Sequence, residues 1–216
     1  MEKQGRPQRL IVGISGASGA IIGIELLKTM REQFPAWETH LVISGGARRT
    51  IEQETSYSVK EVESLATKCH PLEDIGASIA SGTFKTEGMV VVPCSMKTVA
   101  GIGSGFSTNL LLRAADVILK ERRKLVLVAR ESPLSSIHLR NMTTVANAGA
   151  IILPSVLSFY NHPQTIEDMT RHIVGKVLDI FDLGIVGFKP WSGEGEDGRS
   201  LQNDSAMERT VFKDHT

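Results

Sequence analysis

Two short runs in this chain combine small residues, hydroxyls and cations in a pattern suited to holding an anion. In the first, Ser15-Gly16-Ala17-Ser18-Gly19 joins the apolar run Leu10–Ile14 to an amphipathic segment, Ala20–Phe34, whose Ile21, Ile24, Leu27 and Met30 share one side. A turn of small residues there leaves backbone N–H groups free at a helix N-terminus, where they and the helix dipole favour a phosphate. The spacing is neither Gly-x-Gly-x-x-Gly, since Ser18 and Ile21 interrupt it, nor a P-loop, since no Gly-Lys-Ser/Thr follows. Two readings stand side by side: a phosphate cradle, or a tight turn that needs small side chains. In the second run, Pro93-Cys94-Ser95-Met96-Lys97-Thr98 follows another apolar stretch and opens a further helix-like segment.

The elements that must position these runs are legible from periodicity. Strand-like segments at Leu10–Ile14, His40–Ser44, Met89–Val92, Leu125–Ala129 and Ala150–Leu153 alternate with helical patterns. The helical patterns cover Ala20–Phe34, Val59–Ala66, Thr108–Glu121, Leu139–Ala148 and Ile166–Phe181. Strands this apolar are covered on both faces, which means a parallel sheet. The alternation predicts an α/β fold: a three-layer, doubly wound, mostly parallel sheet of the Rossmann-like or flavodoxin-like kind. Ligands in such sheets bind beyond the carboxyl ends of the strands.

That rule gathers a set of candidates on one rim: the hydroxyls of Ser18, Ser44, Ser95 and Thr98, the cations Lys97 and Arg130, the carboxylate Glu131 and the aromatic Tyr160. Each has a plainer alternative. Ser44 can serve as a helix cap, and Arg130 with Glu131 as a structural ion pair. Arg113 and Lys120 lie two turns apart on one helix face, either as functional cations or as surface charge. Arg122, Arg123 and Lys124 read as a solvated helix end complementing the dipole. Leu72–Glu87, rich in Ala, Ser and Gly, reads as a long functional loop, and Ser192–Thr216 as a polar tail after a single domain spanning 1–191.

Composition narrows the classes. A chain of 216 residues can bury one full core. Its 24 basic and 24 acidic residues cancel, which argues against a nucleic-acid binder. Cys69 and Cys94 make no disulfide or CxxC pattern, consistent with a reducing compartment. No apolar run reaches membrane-spanning length and no signal peptide is visible. HExxH, a paired Cys/His ligand set, a Gly-x-Ser-x-Gly elbow and an Asp-Asp-x-x-Asp cluster are all missing from the sequence. Phosphate chemistry is therefore expected to use protein cations rather than a metal.

The ordered motifs Gly13-Ile14-Ser15-Gly16-Ala17-Ser18-Gly19, Glu38-Thr39-His40-Leu41-Val42-Ile43-Ser44 and Pro93–Thr98 match those of a known family, as do Arg113-Ala114-Ala115-Asp116-Val117, Leu119-Lys120-Glu121-Arg122-Arg123 and Phe159-Tyr160-Asn161-His162-Pro163. The chain resembles the UbiX-type flavin prenyltransferases from Leu10 to about Trp191. The resemblance implies transfer of a dimethylallyl group from dimethylallyl monophosphate to reduced FMN without a metal. The product, prenylated FMN, serves a UbiD-type decarboxylase. It also implies a homo-oligomer, commonly a dodecamer with its sites at subunit contacts, and a cytoplasmic location, or a mitochondrial one in a fungus.

Family roles transfer onto matching positions. By resemblance, Gly16, Ala17, Ser18, Ser44, Ser95, Met96, Lys97, Thr98 and Arg130 contact FMN, while Tyr160 and Lys176 bind the donor phosphate. Arg113, Lys120 and Glu131 surround the departing phosphate, Glu54 is a carboxylate near the flavin, and Trp191 closes the site. These roles are chemically coherent. Breaking the allylic C–O bond leaves a cation and a phosphate dianion. Arg113, Lys120 and Lys176 would neutralise the phosphate, and Tyr160 and Trp191 would face the cation. Ser18 would position flavin N5, and Glu131 or the phosphate would take the flavin proton.

The chain departs from the usual pattern in several places, among them a long tail after Trp191. Gly45-Gly46 replaces Lys-Ala, which predicts a looser loop after Ser44. Lys176 replaces an arginine and loses bidentate geometry. The segment Leu153–Leu157 has fewer prolines. Two other classes compete. An FMN-dependent cysteine-type decarboxylase would want an early histidine base, for which His40 is the candidate. A non-catalytic FMN carrier would have no need of Arg113, Lys120 and Glu131 together.

Overall fold

The computed structural model describes residues 6–188. Six parallel strands form one sheet: β1 (Gln8–Ile14), β2 (Trp37–Ile43), β3 (Lys68–His70), β4 (Gly88–Cys94), β5 (Lys124–Ala129) and β6 (Ile151–Ile152). Their order is β3-β2-β1-β4-β5-β6, all pairs parallel, with the chain reversing its direction of travel between β1 and β4. That is the doubly wound arrangement in which ligands collect at the switch point. The helices are α1 (Ala20–Gln33), α2 (Gly45–Glu54), α3 (Val59–Leu65), α4 (Met96–Gly103), α5 (Leu110–Lys120), α6 (Ser136–Asn147) and α7 (Ile166–Asp179).

Alternation along the strands divides the core into two layers of side chains, as the pleat requires. Leu10, Val12, Ile14, Val90, Val92, Val126 and Val128 face α1, α2, α3 and α7. Ile11, Met89, Val91, Leu125 and Leu127 face α4, α5 and α6. With helices on both faces, the sheet has the three layers expected from its apolar strands.

All five expected strands are present, and β3 is an addition. It is three residues long and only His70 is buried in it, so it carries no apolar run to read. Helix α2 has no counterpart among the helices expected from periodicity, and it corrects the expectation for the residues after Ser44. Gly45 and Gly46 do not form a loose loop; they are the first turn of α2, capped by the Ser44 hydroxyl, which accepts the Ala47 N–H at 3.2 Å. Only Ala47 and Ile51 of α2 are buried, too few to give a helical stripe. Helix α6 begins at Ser136 rather than Leu139, because Ser135 and His138 form a capping box.

The segment Leu72–Glu87 is packed rather than free. Ala77 and Ile79 are buried against the α5 face, around a single turn of 3₁₀ helix at Ser78–Ala80. Arg123 holds it down, donating to the Gly82 carbonyl at 2.6 Å and to the Phe84 carbonyl at 2.9 Å. Arg123 is thus no solvated helix end: its side chain is 12% exposed and satisfies loop carbonyls. Lys124 opens β5 and donates to the Ile180 carbonyl and to Asp182.

Candidate functional site

The carboxyl ends of β1, β2, β4 and β5 meet at one edge and are laced together by backbone bonds. Ser44 N–H donates to the Ile14 carbonyl at 2.9 Å, Ser15 N–H to the Pro93 carbonyl at 3.2 Å, and Arg130 N–H to the Cys94 carbonyl at 3.1 Å. Ser15, 1% exposed, adds a side-chain tie: its hydroxyl donates to the Pro93 carbonyl at 3.0 Å and accepts the Ser95 N–H at 2.8 Å. Helices α1, α2 and α4 all start from this edge, so three positive dipole ends share it.

The first and second turns touch. A methyl group on Gly16 would lie 2.9 Å from the Gly46 Cα and 3.0 Å from its carbonyl carbon, so only glycine lets the two backbones approach this closely. Ser44 and Ser95 both act as helix caps; Ser95 Oγ accepts the Thr98 N–H at 3.4 Å and pairs with the Thr98 hydroxyl at 3.1 Å. Capping uses an oxygen lone pair, and a serine O–H keeps a donor as well. The cap reading is therefore correct for both serines and does not remove them from a site. Gly16, Ser18, Lys97, Arg130 and Glu131 are exposed along the rim, while Ala17 and Met96 are buried beneath it.

Glu54 reaches this edge from the far end of α2. Its carboxylate accepts the Gly19 N–H at 2.8 Å, at the N-cap of α1, where no side chain of the turn itself serves as cap. One amide of the expected phosphate cradle is thus already occupied by an anion of the protein. Glu131 turns back to accept the Ser132 N–H at 3.1 Å and makes no ion pair with Arg130 among the described residues.

The two cations of α5 lie at different depths. Leu110 N–H donates to the Leu72 carbonyl, just beyond the end of β3, so Arg113 in the first turn is near the carboxyl edge. Its guanidinium pairs with Asp116 at 2.8 Å. Lys120 closes the helix about 10 Å further along, beside Gly82 and four residues before β5 begins. There its ammonium pairs with Glu121 at 2.6 Å. Lys120 therefore stands at the amino edge of the sheet, away from Ser18, Ser44, Ser95, Arg130 and Glu131 of the same chain.

Tyr160 and Lys176 meet across a third residue. The Tyr160 hydroxyl lies 3.3 Å from His172 Nε2, and Lys176 follows His172 by one turn of α7. Burial and the nearby Lys176 charge both lower the His172 pKa. His172 was not singled out from the sequence, although its i, i+4 spacing to Lys176 was available as a signal. Trp191 and the tail 192–216 lie outside the described residues.

His40 does not serve as a free base. It is 5% exposed in β2, its Nδ1 is 2.9 Å from His70 Nε2, and burial followed by the His70 charge lowers its pKa to about 4. Burial holds the Cys94 thiol well above its ordinary range, so it is no nucleophile. No group of three or more His, Cys, Asp or Glu comes together as a metal site among the described residues. None of the described helices is long and apolar enough to cross a membrane.

The rim fits a phosphorylated, planar ligand such as FMN. Helix N-termini and the exposed Lys97 and Arg130 suit the phosphate, and Gly16 and Gly46, without side chains, let the first two turns of the rim close together.

Comparison with known proteins agrees with this architecture. A family model described as Flavoprotein matches residues 1–183. A protein of Streptomyces sp. (strain D7), named a probable UbiX-like flavin prenyltransferase, is 55% identical over 185 residues, covering 86% of this chain and 92% of its own. The crystal structure of AnUbiX in complex with FMN and dimethylallyl pyrophosphate superposes with a TM-score of 0.85 at 50% identity, covering 88% of this chain and 100% of that one. A dodecameric FMN-dependent UbiX-like decarboxylase from Escherichia coli O157:H7 gives 0.84 at 50% identity, covering 86% and 100%. The six-stranded parallel fold, the rim of turns and these likenesses over most of each chain place this protein in the UbiX-like flavin prenyltransferase family of flavoproteins.

Proposed function

We propose that this protein transfers a dimethylallyl group from a dimethylallyl phosphate to reduced FMN, releasing phosphate and making prenylated FMN for a UbiD-type decarboxylase in the cytoplasm. The observation that carries this reading is the convergence of three helix N-termini, with Lys97 and Arg130, on a glycine-lined rim. It is supported by the 50% identity to a protein crystallised with both FMN and a dimethylallyl donor.

Reduced FMN supplies the nucleophilic centres that accept the prenyl group. The chain supplies the rest. Gly16, Ala17, Ser18, Ser44, the stretch Ser95–Thr98 and Arg130 bind and orient the flavin. Tyr160 and Lys176 take the donor phosphate. Arg113 and Lys120 neutralise charge on the leaving phosphate, where fixed cations in a dry site act most strongly. Glu131 accepts a proton as the new ring closes, Ser18 holds the flavin edge, Glu54 steadies the α1 N-terminus, and Trp191 covers the site.

The position of Lys120 at the amino edge gives the oligomer a catalytic purpose in this reading. A single chain cannot bring Lys120 to its own rim, so the lysine serves the site of another copy. A dodecamer, the state named for the E. coli relative, would offer subunit contacts at which this can happen.

The test is anaerobic incubation with reduced FMN and dimethylallyl monophosphate, without added metal, followed by mass spectrometry of the released flavin. A flavin heavier by one five-carbon prenyl unit is expected. FMN that is bound but unmodified, with the diphosphate as well as the monophosphate, would instead indicate a flavin carrier.

A further inference from the structure

We propose that Glu121, seated against Gly82, is the positioning residue that holds the Lys120 ammonium in place for the phosphate at another copy's rim. This deepens the proposed function, in which Lys120 serves a site outside its own chain, and rests on it. Lys120 Nζ lies 2.6 Å from Glu121 Oε1. The second carboxylate oxygen, Oε2, faces the Arg123 guanidinium at 3.7 Å. Arg123 in turn donates to the Gly82 carbonyl at 2.6 Å and to the Phe84 carbonyl at 2.9 Å. One carboxylate thus ties the lysine to an arginine that is itself fixed on the Leu72–Glu87 segment.

The glycine supplies the space for this arrangement. A methyl group on Gly82 would overlap the Glu121 carboxylate, 2.6 Å from its Cδ, and lie 2.9 Å from Lys120 Nζ. Gly82 is not among the residues with positive φ, so its backbone does not require glycine; the Lys120–Glu121 pair does. The hydrogen bond from Lys120 holds the Glu121 carboxyl below its ordinary range, which keeps it an anion. An ammonium has three donors, so the bond to Glu121 leaves two for phosphate oxygens. With Arg123 counted, the group keeps a net positive charge. The Lys120 side chain is 47% exposed, open to a second copy. A lysine already held by its neighbour gives up less rotamer freedom on meeting the phosphate than a free one does.

The experiment measures kcat/KM for dimethylallyl monophosphate, FMN affinity by fluorescence titration and oligomer size by chromatography, all on the full chain. Gly82→Ala displaces only the far ends of flexible side chains, so assembly and FMN affinity should be those of wild type. Its kcat/KM should fall about tenfold, the freedom of one long side chain. Glu121→Ala, which frees Lys120 without touching Gly82, should fall as far. The double variant should be no worse than Glu121→Ala alone, because the added methyl then has no carboxylate to displace. Gly82→Ala refolded with Glu131→Ala should exceed the mean activity of the two refolded separately, since one variant keeps an intact rim and the other an intact Lys120 edge. Gly82→Ala refolded with Lys120→Ala should show no such gain.

Wild-type kcat/KM in Gly82→Ala or Glu121→Ala, additive losses in the double variant, or equal gains from the two mixed refoldings would each overturn the inference alone. So would loss of FMN binding or of assembly in Gly82→Ala, which would make the glycine structural. Failure of the wild-type protein to prenylate FMN with any dimethylallyl phosphate would overturn the proposed function, and this inference with it.

Discussion

The hydroxyl of Ser15 accepts the Ser95 N–H at 2.8 Å while donating to the Pro93 carbonyl at 3.0 Å, so one buried side chain joins the ends of β1 and β4. The two turns it joins contain most of the residues assigned to FMN. Ser15→Ala leaves the Ser95 N–H without its partner, while the Pro93 carbonyl keeps the backbone N–H of residue 15. A loss of about 1–3 kcal/mol in stability follows, measurable by urea denaturation, together with weaker FMN binding by fluorescence titration. Unchanged FMN affinity in a less stable protein would confine Ser15 to a structural role.

Two glycines of neighbouring turns should respond in opposite directions. Nothing lies within 4 Å of a methyl group at Gly45, in the first turn of α2, so Gly45→Ala should stabilise by about 0.5–1 kcal/mol. At Gly16 the same methyl would lie 2.9 Å from the Gly46 Cα, and Gly16→Ala should cost about 1–3 kcal/mol and push the two rim turns apart. Thermal midpoints of the two variants with and without FMN separate these effects. FMN should add less to the midpoint of Gly16→Ala than to that of the wild type.

Acid should weaken the fold through its buried histidines before its carboxylates. His40, lowered to about 4 from an ordinary 6.5, is held neutral in the folded protein, and His70 is shifted the same way by burial. In the unfolded chain both take up protons near 6.5. Their stabilisation is thus complete above that pH and is lost as pH falls toward 4. The His40 share is on the order of 3 kcal/mol. Glu38, held below 4.5 by the Arg9 guanidinium, adds its loss only at lower pH. Denaturation between pH 7 and 5 should show a steeper slope for wild type than for His40→Phe. Equal slopes would remove the histidine pair from the explanation.

Lys120 and Glu131 stand at opposite edges of one chain, so complementation between copies is testable. Lys120→Ala and Glu131→Ala should each bind FMN but fail to prenylate it. Refolding the two variants together should restore activity in roughly a quarter of the sites if each site draws the lysine from one copy and the carboxylate from another. No recovery in mixed oligomers would mean that both residues serve the site from the same chain. Full activity in both single variants would remove them from the mechanism.

Much of this protein is determined by sequence alone. The apolar runs at Leu10–Ile14, Met89–Val92 and Leu125–Ala129 specify buried parallel strands, because no other element buries so many β-branched residues in so few positions. The small residues at Ser15–Gly19 and the hydroxyls at Ser44 and Ser95 mark where strands yield to helices, since caps and tight turns are local chemistry. From those strands, the rim of candidates follows by the rule that ligands sit at strand carboxyl ends. Elements with few buried residues left no such trace: β3 buries only His70, and α2 only Ala47 and Ile51.

Contacts between distant segments were decided by the tertiary structure. Glu54 finds the Gly19 amide because α2 runs back past the start of α1, Arg123 anchors carbonyls some forty residues earlier in the chain, and His40 meets His70 only because β3 pairs with β2. The same holds for Lys120. Its spacing from Arg113 shows one helix face, but the direction of α5 against the sheet carries it to the edge away from the rim. Periodicity reports which side of an element is buried. Strand order and helix direction, set by packing of the whole chain, report what that side meets.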